Sequence, residues 1–219
     1  IAYLMMAPGP DIWKVLVGVA IATGISFAIA SPIVKMAGGK TSLEDAQAEM
    51  AAMKAEGRDF VGILFVGLML TEDGPKVLEY NARFGDPETQ VVLPRMKTDL
   101  VEMFEACIDG KLAEKHLEFE DNAAVCVVLA SEGYPVKYEK GIPMYGFENF
   151  KDKDGYYCFH AGTKFQDGQI VTNGGRVLGI TAKGKTLKEA RKNAYDATEW
   201  IQFANKYMRH DIGKAIDEA

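Results

Sequence analysis

The sequence predicts an α+β protein preceded by an apolar segment that is long enough to cross a membrane. Three observations support this prediction. From Gly57 to Ala219, short β-branched and aromatic runs alternate with helix-forming stretches. The hydrophobic share of 48% and the charged share of 26% are those of an ordinary globular chain. Residues 15–34, in contrast, carry no charged side chain. A length of 219 residues allows one or two domains.

The charge and the cysteine content bear on possible nucleic-acid partners, on disulfide bonds and on the cellular compartment. With 31 acidic against 25 basic side chains, the net charge of -6 gives no electrostatic reason to expect a nucleic-acid partner. Cys107, Cys126 and Cys158 lack metal-ligand spacing, and an odd count excludes a complete disulfide framework. We therefore expect three small buried apolar side chains, and a reducing, cytoplasmic compartment for residues 57–219.

The first region, residues 1–40, is dominated by the apolar segment VLVGVAIATGISFAIASPIV between Lys14 and Lys35. A transmembrane helix needs roughly 20 apolar residues to cross a hydrocarbon core of ~30 Å. The small residues of the segment suit close helix packing in lipid. We predict a membrane helix over residues 15–34, through which the chain would associate with a membrane. The alternative is a fully buried core helix.

The second region, residues 41–56, has the pattern of a linker helix. Thr41 or Ser42 can cap its start, with an acidic side chain at the third position of a capping box. The stretch from Leu43 to Glu56 is rich in good helix formers. Gly57 then supplies the stop, because glycine adopts the left-handed conformation that ends many helices.

Residues 1–56 also carry a resemblance in the strings YLMMAPG, SFAIASPIVKM and EDAQAEMAAMKAE. Together they resemble the end of the membrane-embedded IIC domain of a mannitol-type phosphotransferase permease. In that family a last membrane helix leads into a cytoplasmic linker helix. The resemblance implies an alternative function for the chain, as a remnant of a sugar permease that carries a soluble tail.

A hairpin follows at the point where the character of the sequence changes. Phe60–Leu70 has the composition of a buried strand, Thr71–Pro75 that of a turn, and Lys76–Asn81 that of a returning strand. Because side chains alternate along a strand, Glu79 and Asn81 are predicted to share one face. A carboxylate and an amide carbonyl are hard oxygen ligands that suit Mg²⁺.

Each of these residues also has an ordinary structural explanation. On spacing alone, Glu79 and Asn81 are more typical of an exposed strand face than of a metal site. The guanidinium of Arg83 could bind a phosphate or acyl-phosphate in bidentate fashion, or form a surface salt bridge. For Asp86 and Pro87 we favour a helix start over catalysis, with the aspartate as N-cap and the proline at the first helical position.

The complete string VLEYNARFGDPETQ, preceded by GILFVGLML, resembles the ATP-grasp signature of the phosphoribosylamine-glycine ligase family. The resemblance continues in AAVCVVLASEGYP, HAGT, TNGGRVLGITAKGKTLKEARKNAY and RHDIGKAI. It implies that Glu79 and Asn81 bind the Mg²⁺ or Mn²⁺ ion that bridges the phosphates of ATP. Arg83 matches the arginine of the motif and is the candidate catalytic residue.

The resemblance also implies a domain organisation and a reaction. Residues 57–121 would be part of an ATP-grasp domain, and residues 122–219 a small C-terminal domain of mixed β-sheet and helix. The family joins glycine to phosphoribosylamine at the expense of ATP, so its partners are small-molecule substrates. It also needs an N-terminal domain and a nucleotide-covering half, whose patterns do not occur upstream of Gly57. We therefore expect the chain to be inactive alone. A third hypothesis is a binding module formed by the residues after Asn122.

Three further motifs of the second half have structural explanations. His160 is predicted to be a packed or surface histidine, because no acid or nucleophile stands near it in the sequence. Gly174 and Gly175 are predicted to form a hairpin turn, since a strand rather than a helix follows them. Lys185–Lys206 is predicted to be an amphipathic helix with a packing role. Its apolar stripe consists of Leu187, Ala190, Ala194, Ala197 and Ile201.

Overall fold

The computed structural model describes residues 15–22, 51–58, 60–71 and 74–214. The chain divides into two compact units. The first unit comprises Ile1–Thr89 and Met96–Glu120, and the second comprises Gln90–Arg95 and Asp121–Ala219. The domain boundaries drawn from the sequence stay a prediction.

The sheet of the first unit is antiparallel and has the strand order β1-β2-β3. Its strands are β1 (Val15–Ala22), β2 (Gly62–Thr71) and β3 (Gly74–Asn81). The hairpin predicted for residues 60–81 is thereby confirmed. Its strands form because β-branched and aromatic residues fit the pleated surface of a sheet, while the polar residues between them favour a turn.

The predicted membrane helix over residues 15–34 is wrong at its beginning, where the structure has β1. This strand pairs antiparallel with β2, from Val15 opposite Met69 to Ala22 opposite Gly62. The physical reason is visible in the sequence, where β-branched residues recur at every second position from 15 to 21, a pattern that favours a strand. Residues 23–34 lie outside the described residues. Within the described ranges, no helix combines the length and the apolar character needed to cross a bilayer.

The predicted linker helix ends as expected. Residues 51–55 are helical, and residues 41–50 lie outside the described part of the chain. Gly57 has a φ of 72°, in the left-handed region. The amide of Arg58 donates to the carbonyl of Met53 at 2.9 Å, and the amide of Gly57 to that of Lys54 at 3.0 Å. These two bonds define a Schellman motif, so the helix stop predicted at Gly57 is confirmed.

Two helices follow the hairpin. A short helix, α1 (Thr89–Val92), comes first, and α2 (Leu100–Ile108) lies in the first unit. The side chain of Asp99 caps α2 by accepting hydrogen bonds from two backbone amides. One face of α2 buries Met103, Ala106 and Cys107 together with Leu112, and the half-buried Ile63, Met96 and Leu117 pack against this cluster.

The second unit is built on a four-stranded antiparallel sheet with the order β5-β8-β4-β9. Its strands are β4 (Ala123–Ser131), β5 (Tyr156–His160), β8 (Arg176–Gly184) and β9 (Lys206–Tyr207). A separate two-stranded sheet pairs β6 (Thr163–Gln166) with β7 (Gln169–Thr172). Helix α3 (Leu187–Thr198) also belongs to this unit.

Helix α3 packs on the four-stranded sheet, as its apolar stripe predicts. Ala190, Ala194 and Ala197 are fully buried. The first two pack with Val125, Val127 and Ala182, which confirms the packing role.

The predicted end of this helix at Lys206 is wrong, because α3 ends at Thr198. Ile201 and Phe203 are buried while Gln202 between them is exposed. This period of two is that of extended chain, and Gln202 forms an antiparallel bridge with Tyr145.

The cysteines behave as small apolar side chains. Cys107 and Cys126 are buried, Cys158 is partly buried, and none of the three forms a disulfide bond. Burial raises the pKa of Cys107, and it raises the pKa of Cys158 to about 12. Since the thiolate is the reactive species, neither side chain is an activated nucleophile.

We expect Cys158 to resist alkylation in the native chain at pH 8. A pKa of about 12, against 9.0 for an ordinary thiol, leaves roughly a thousandfold less thiolate. Iodoacetamide labelling followed by peptide mass spectrometry measures this, with the denatured chain as the control in which all three cysteines react. Rapid modification of Cys158 in the native chain would contradict the expectation.

Candidate active site

Strand β3 places the two predicted metal ligands side by side. In the pairing of β2 with β3, Glu79 lies opposite Gly67 and Asn81 lies opposite Phe65. The register of this ladder shifts between Gly67 and Leu68, so the irregularity lies before Glu79 on β3. Glu79 and Asn81 therefore keep the strand period of two, and the predicted shared face is confirmed.

The side chain of Glu79 lies over a glycine. A Cβ atom added to Gly67 would be 3.1 Å from Cγ of Glu79 and 3.6 Å from Cε1 of Phe65. A larger residue at Gly67 would therefore crowd both side chains. Glu79 is exposed and Asn81 is partly buried, so ligands can reach this edge of the face.

Arg83 lies just beyond the end of β3 and is exposed. Its Nη1 atom donates a hydrogen bond to the carbonyl of Phe84 at 2.7 Å. Because the strand ends at Asn81, the alternation of faces does not extend to Arg83, and its guanidinium is bonded to its own loop. Its assignment as a catalytic residue stays a prediction.

The predicted N-cap at Asp86 is wrong, because α1 begins at Thr89. The backbone amide of Thr89 donates to the carbonyl of Gly85 at 3.1 Å, and its hydroxyl donates to the same carbonyl. This turn occupies residues 85–89, and the helix begins two positions later than predicted. Asp86 stays exposed, and Pro87 is buried.

Glu88 is the feature of this loop that sequence reasoning missed. Its side chain is 7% exposed. Burial raises the pKa of Glu88 above its ordinary value, a hydrogen bond from its own backbone amide partly offsets this, and the nearby carboxyls of Asp86 and Glu79 add to the rise. Glutamate is rarely buried, and nothing in the string GDPET marks this position as an interior one.

The other predicted motifs have structural roles in the second unit. His160 is exposed. Its Nδ1 atom shares a hydrogen bond with Oγ1 of Thr163 at 3.0 Å. Its ring stacks on Phe147, with the ring centroids 5.2 Å apart. The prediction of a surface histidine is confirmed. Gly174 and Gly175 precede a strand, as predicted, but they do not form a hairpin turn. They connect β7 to β8, and these strands belong to different sheets.

The oxygen donors of Glu79 and Asn81 fit a hard divalent cation whose remaining ligands are not protein side chains. In the described ranges, no group of three or more His, Cys, Asp and Glu side chains is arranged to hold a metal ion. Glu79 and Asn81 could therefore supply only part of a coordination shell. Mg²⁺ is commonly held by one or two protein oxygens together with phosphate and water, so the pair suits such an ion.

Comparison with known proteins decides the family. A model described as the phosphoribosylglycinamide synthetase ATP-grasp (A) domain matches residues 28–89, and the model of the C domain of the same enzyme matches residues 124–215. The chain belongs to the phosphoribosylglycinamide synthetase family. The A-domain match ends within the loop of Glu88, so it includes Glu79, Asn81 and Arg83.

Curated relatives agree with this assignment. The chain is 55% identical over 161 residues to phosphoribosylamine–glycine ligase of Caldanaerobacter subterraneus subsp. tengcongensis, a match that covers 74% of this chain and 38% of the relative. It is 49% identical over 168 residues to the trifunctional purine biosynthetic protein adenosine-3 of Gallus gallus, covering 76% of this chain and 17% of that protein. The chain thus spans well under half the length of these relatives.

Solved structures show the same relationship. The phosphoribosylamine–glycine ligase of Thermotoga maritima matches with a TM-score of 0.62 and 38% identity, over 73% of this chain and 39% of that one. The biotin carboxylase domain of Hydrogenobacter thermophilus 2-oxoglutarate carboxylase matches with a TM-score of 0.51 and 12% identity, over 88% of this chain and 40% of that one, which shows a similar fold. The α+β class with an ATP-grasp part is confirmed.

The comparisons also bear on the first 56 residues. The A-domain match begins at residue 28, so it includes the segment 41–56 that the sequence assigns to a linker helix. The alternative function, a remnant of a sugar phosphotransferase permease, finds no support in these matches.

Proposed function

We propose that this chain is the C-terminal portion of a phosphoribosylamine–glycine ligase. The reaction joins glycine to 5-phosphoribosylamine and converts ATP to ADP and phosphate, giving glycinamide ribonucleotide in de novo purine synthesis. The observation that carries the proposal is the pair Glu79 and Asn81 on one face of β3, within a segment that matches the A domain of the family. The substrates are small molecules in the cytoplasm, and the chain alone is inactive.

The pair Glu79 and Asn81 holds the divalent cation in this proposal. The carboxylate of Glu79 and the amide oxygen of Asn81 would bind Mg²⁺ or Mn²⁺ beside the phosphates of ATP. When bound, such an ion offsets the negative charge of the phosphoryl group during its transfer. The side chain of Glu79 packs over Gly67, where a larger residue would crowd it.

Arg83 provides the cationic side chain of the site. A guanidinium presents five N–H donors in a planar fork, and one of them bonds the carbonyl of Phe84. The planar fork matches the geometry of a phosphate or acyl-phosphate oxygen pair. In the proposed reaction Arg83 orients the phosphoryl group and the acyl-phosphate that forms on the glycine carboxylate. Catalysis of this kind rests on positioning and electrostatic stabilisation.

The metal-binding step can be tested on the chain itself. We expect Glu79→Ala and Asn81→Ala each to weaken Mn²⁺ binding by roughly 10- to 100-fold, since each removes an oxygen ligand. Electron paramagnetic resonance titration of free Mn²⁺ against the full chain gives the dissociation constants. Glu102→Ala, which removes an exposed carboxylate of α2 in the same unit, is the matched control. Equal affinity of all variants would contradict the assignment of the pair.

A further inference from the structure

A continuous line of contacts runs from the predicted metal ligand Glu79 to the buried carboxyl of Glu88. Glu79 lies over Gly67, and the ring of Phe65 reaches the same glycine through Cε1. On its other edge, Cε2 of Phe65 lies 3.0 Å from the position of a Cβ at Gly85. Oε2 of Glu88 is 2.0 Å from that position, and its Cδ is 2.7 Å away. The ring of Phe65, 2% exposed, therefore lies next to both glycines, Gly67 beside Glu79 and Gly85 beside Glu88.

Burial of the Glu88 carboxyl at this position is unfavourable in free energy. Burial of a carboxylate in an apolar environment is strongly unfavourable, and an apolar side chain of similar size would fill the space at lower cost. The neighbouring carboxyls of Asp86 and Glu79 also disfavour its charged form, whereas a hydrogen bond from the backbone amide of Glu88 itself favours it.

Glu88 closes one side of the loop that carries the functional side chains. Its contact with Gly85 leaves no space for a side chain at that glycine. On the other side, Thr89 donates two hydrogen bonds to the carbonyl of Gly85. Gly85 is thus held by contacts from Glu88 and Thr89. Arg83 is bonded to Phe84, the immediate neighbour of Gly85, so displacement of Gly85 would displace the guanidinium.

We propose that Glu88 is a positioning residue of the ligase site, whose buried carboxyl holds Gly85 and Phe65 in place and thereby sets the positions of Asn81 and Arg83. Asn81 is included because it pairs directly with Phe65 across the β2–β3 ladder. The inference rests on the proposed function, since it gives Glu88 a role only through the metal and phosphate side chains. Glu88 itself contacts no substrate in this proposal.

The test uses four single substitutions in the full chain. Glu88→Ala removes the carboxyl, and Glu88→Gln keeps its shape and hydrogen-bonding capacity. Gly85→Ala crowds the same contact from the opposite side, and Glu102→Ala is the control. The measurements are the NMR signals of the Asn81 side-chain amide and the Arg83 Nε–H group, the Mn²⁺ dissociation constant, and the melting temperature.

Support for the proposal requires a specific pattern. Glu88→Ala and Gly85→Ala should shift the Asn81 and Arg83 signals and weaken Mn²⁺ binding several-fold, while signals of the second unit stay in place. Glu88→Gln and Glu102→Ala should resemble the unsubstituted chain. Unshifted Asn81 and Arg83 signals in Glu88→Ala would overturn the proposal. It would equally be overturned if glutamine shifted them as far as alanine does.

Two further outcomes remain decisive. If Glu88→Ala does not fold, Gly85→Ala and Glu88→Gln carry the test through the same NMR signals. If Glu79→Ala abolishes Mn²⁺ binding and Glu88→Ala leaves both the affinity and the signals unchanged, the inference fails while the proposed function stands. If Mn²⁺ binding depends on neither glutamate, the metal assignment fails, and the Asn81 and Arg83 signals still decide the role of Glu88.

Discussion

Replacement of Gly146 by alanine is expected to destabilise the second unit by roughly 3 kcal/mol or more, near the upper end for a single substitution. Gly146 has a φ of 96°, where a Cβ atom is strained. That Cβ would also lie 1.8 Å from the carbonyl oxygen of Trp200. Backbone atoms cannot move aside as a flexible side chain can. Moreover, the two hydrogen bonds between Tyr145 and Gln202, each 3.0 Å long, hold the two segments together.

Chemical denaturation followed by circular dichroism measures this loss, and Gly141→Ala provides the matched control. Gly141 has a similar φ of 83°, but no atom lies within 4 Å of the position of its Cβ. In the control, the free energy of unfolding should therefore fall only by the strain of a left-handed alanine, about 1 kcal/mol. Equal destabilisation by the two substitutions would show that the contact with Trp200 is not the cause.

The second large effect concerns turnover in a completed enzyme. If the remaining N-terminal part of a relative such as the Caldanaerobacter ligase is joined to this chain, Glu79→Ala should lower kcat by roughly 10²–10³-fold. Without this ligand the metal ion stabilises less of the negative charge that develops in the transition state. The substitution should also alter the dependence of the rate on Mg²⁺. Glu79 is exposed, so removal of its carboxylate should leave the fold intact.

Formation of glycinamide ribonucleotide from glycine, phosphoribosylamine and ATP is the measurement. Glu102→Ala in the same hybrid should retain full turnover, and the chain without the added part should form no product. Full activity of the Glu79→Ala hybrid with an unchanged Mg²⁺ dependence would exclude Glu79 as a metal ligand. Product formed by the chain alone would show that the added part is dispensable.

The sequence was informative wherever the decisive interaction is local. The β2–β3 hairpin follows from β-branched residues on both sides of a turn, and the shared face of Glu79 and Asn81 follows from the strand period. The helix stop at Gly57 follows from the left-handed conformation that glycine tolerates. The buried alanines of α3 follow from the helical period. Each feature depends on residues within a few positions of one another.

The predictions were wrong where the interacting segment is distant in the chain, and where the length of an apolar segment was given more weight than its residue pattern. The apolar segment from residue 15 has the length of a membrane helix, yet its first part pairs with β2, about 45 residues later in the chain. Gly174 and Gly175 resemble a hairpin turn, but the strands they connect join different sheets. Asp86 has the sequence of an N-cap, and the bonds from Thr89 to Gly85 displace the helix start.

For this protein, the sequence by itself determined the family and the shared strand face of Glu79 and Asn81, because a specific local motif carries both. Metal binding by this pair and the role of Arg83 stay predictions. Only the tertiary structure decided the burial of Glu88. A glutamate in a polar loop becomes an interior side chain when Phe65, from the neighbouring strand, and Gly85 enclose it. That environment is made by strand pairing and loop closure together, and burial depends on what surrounds a side chain more than on its type.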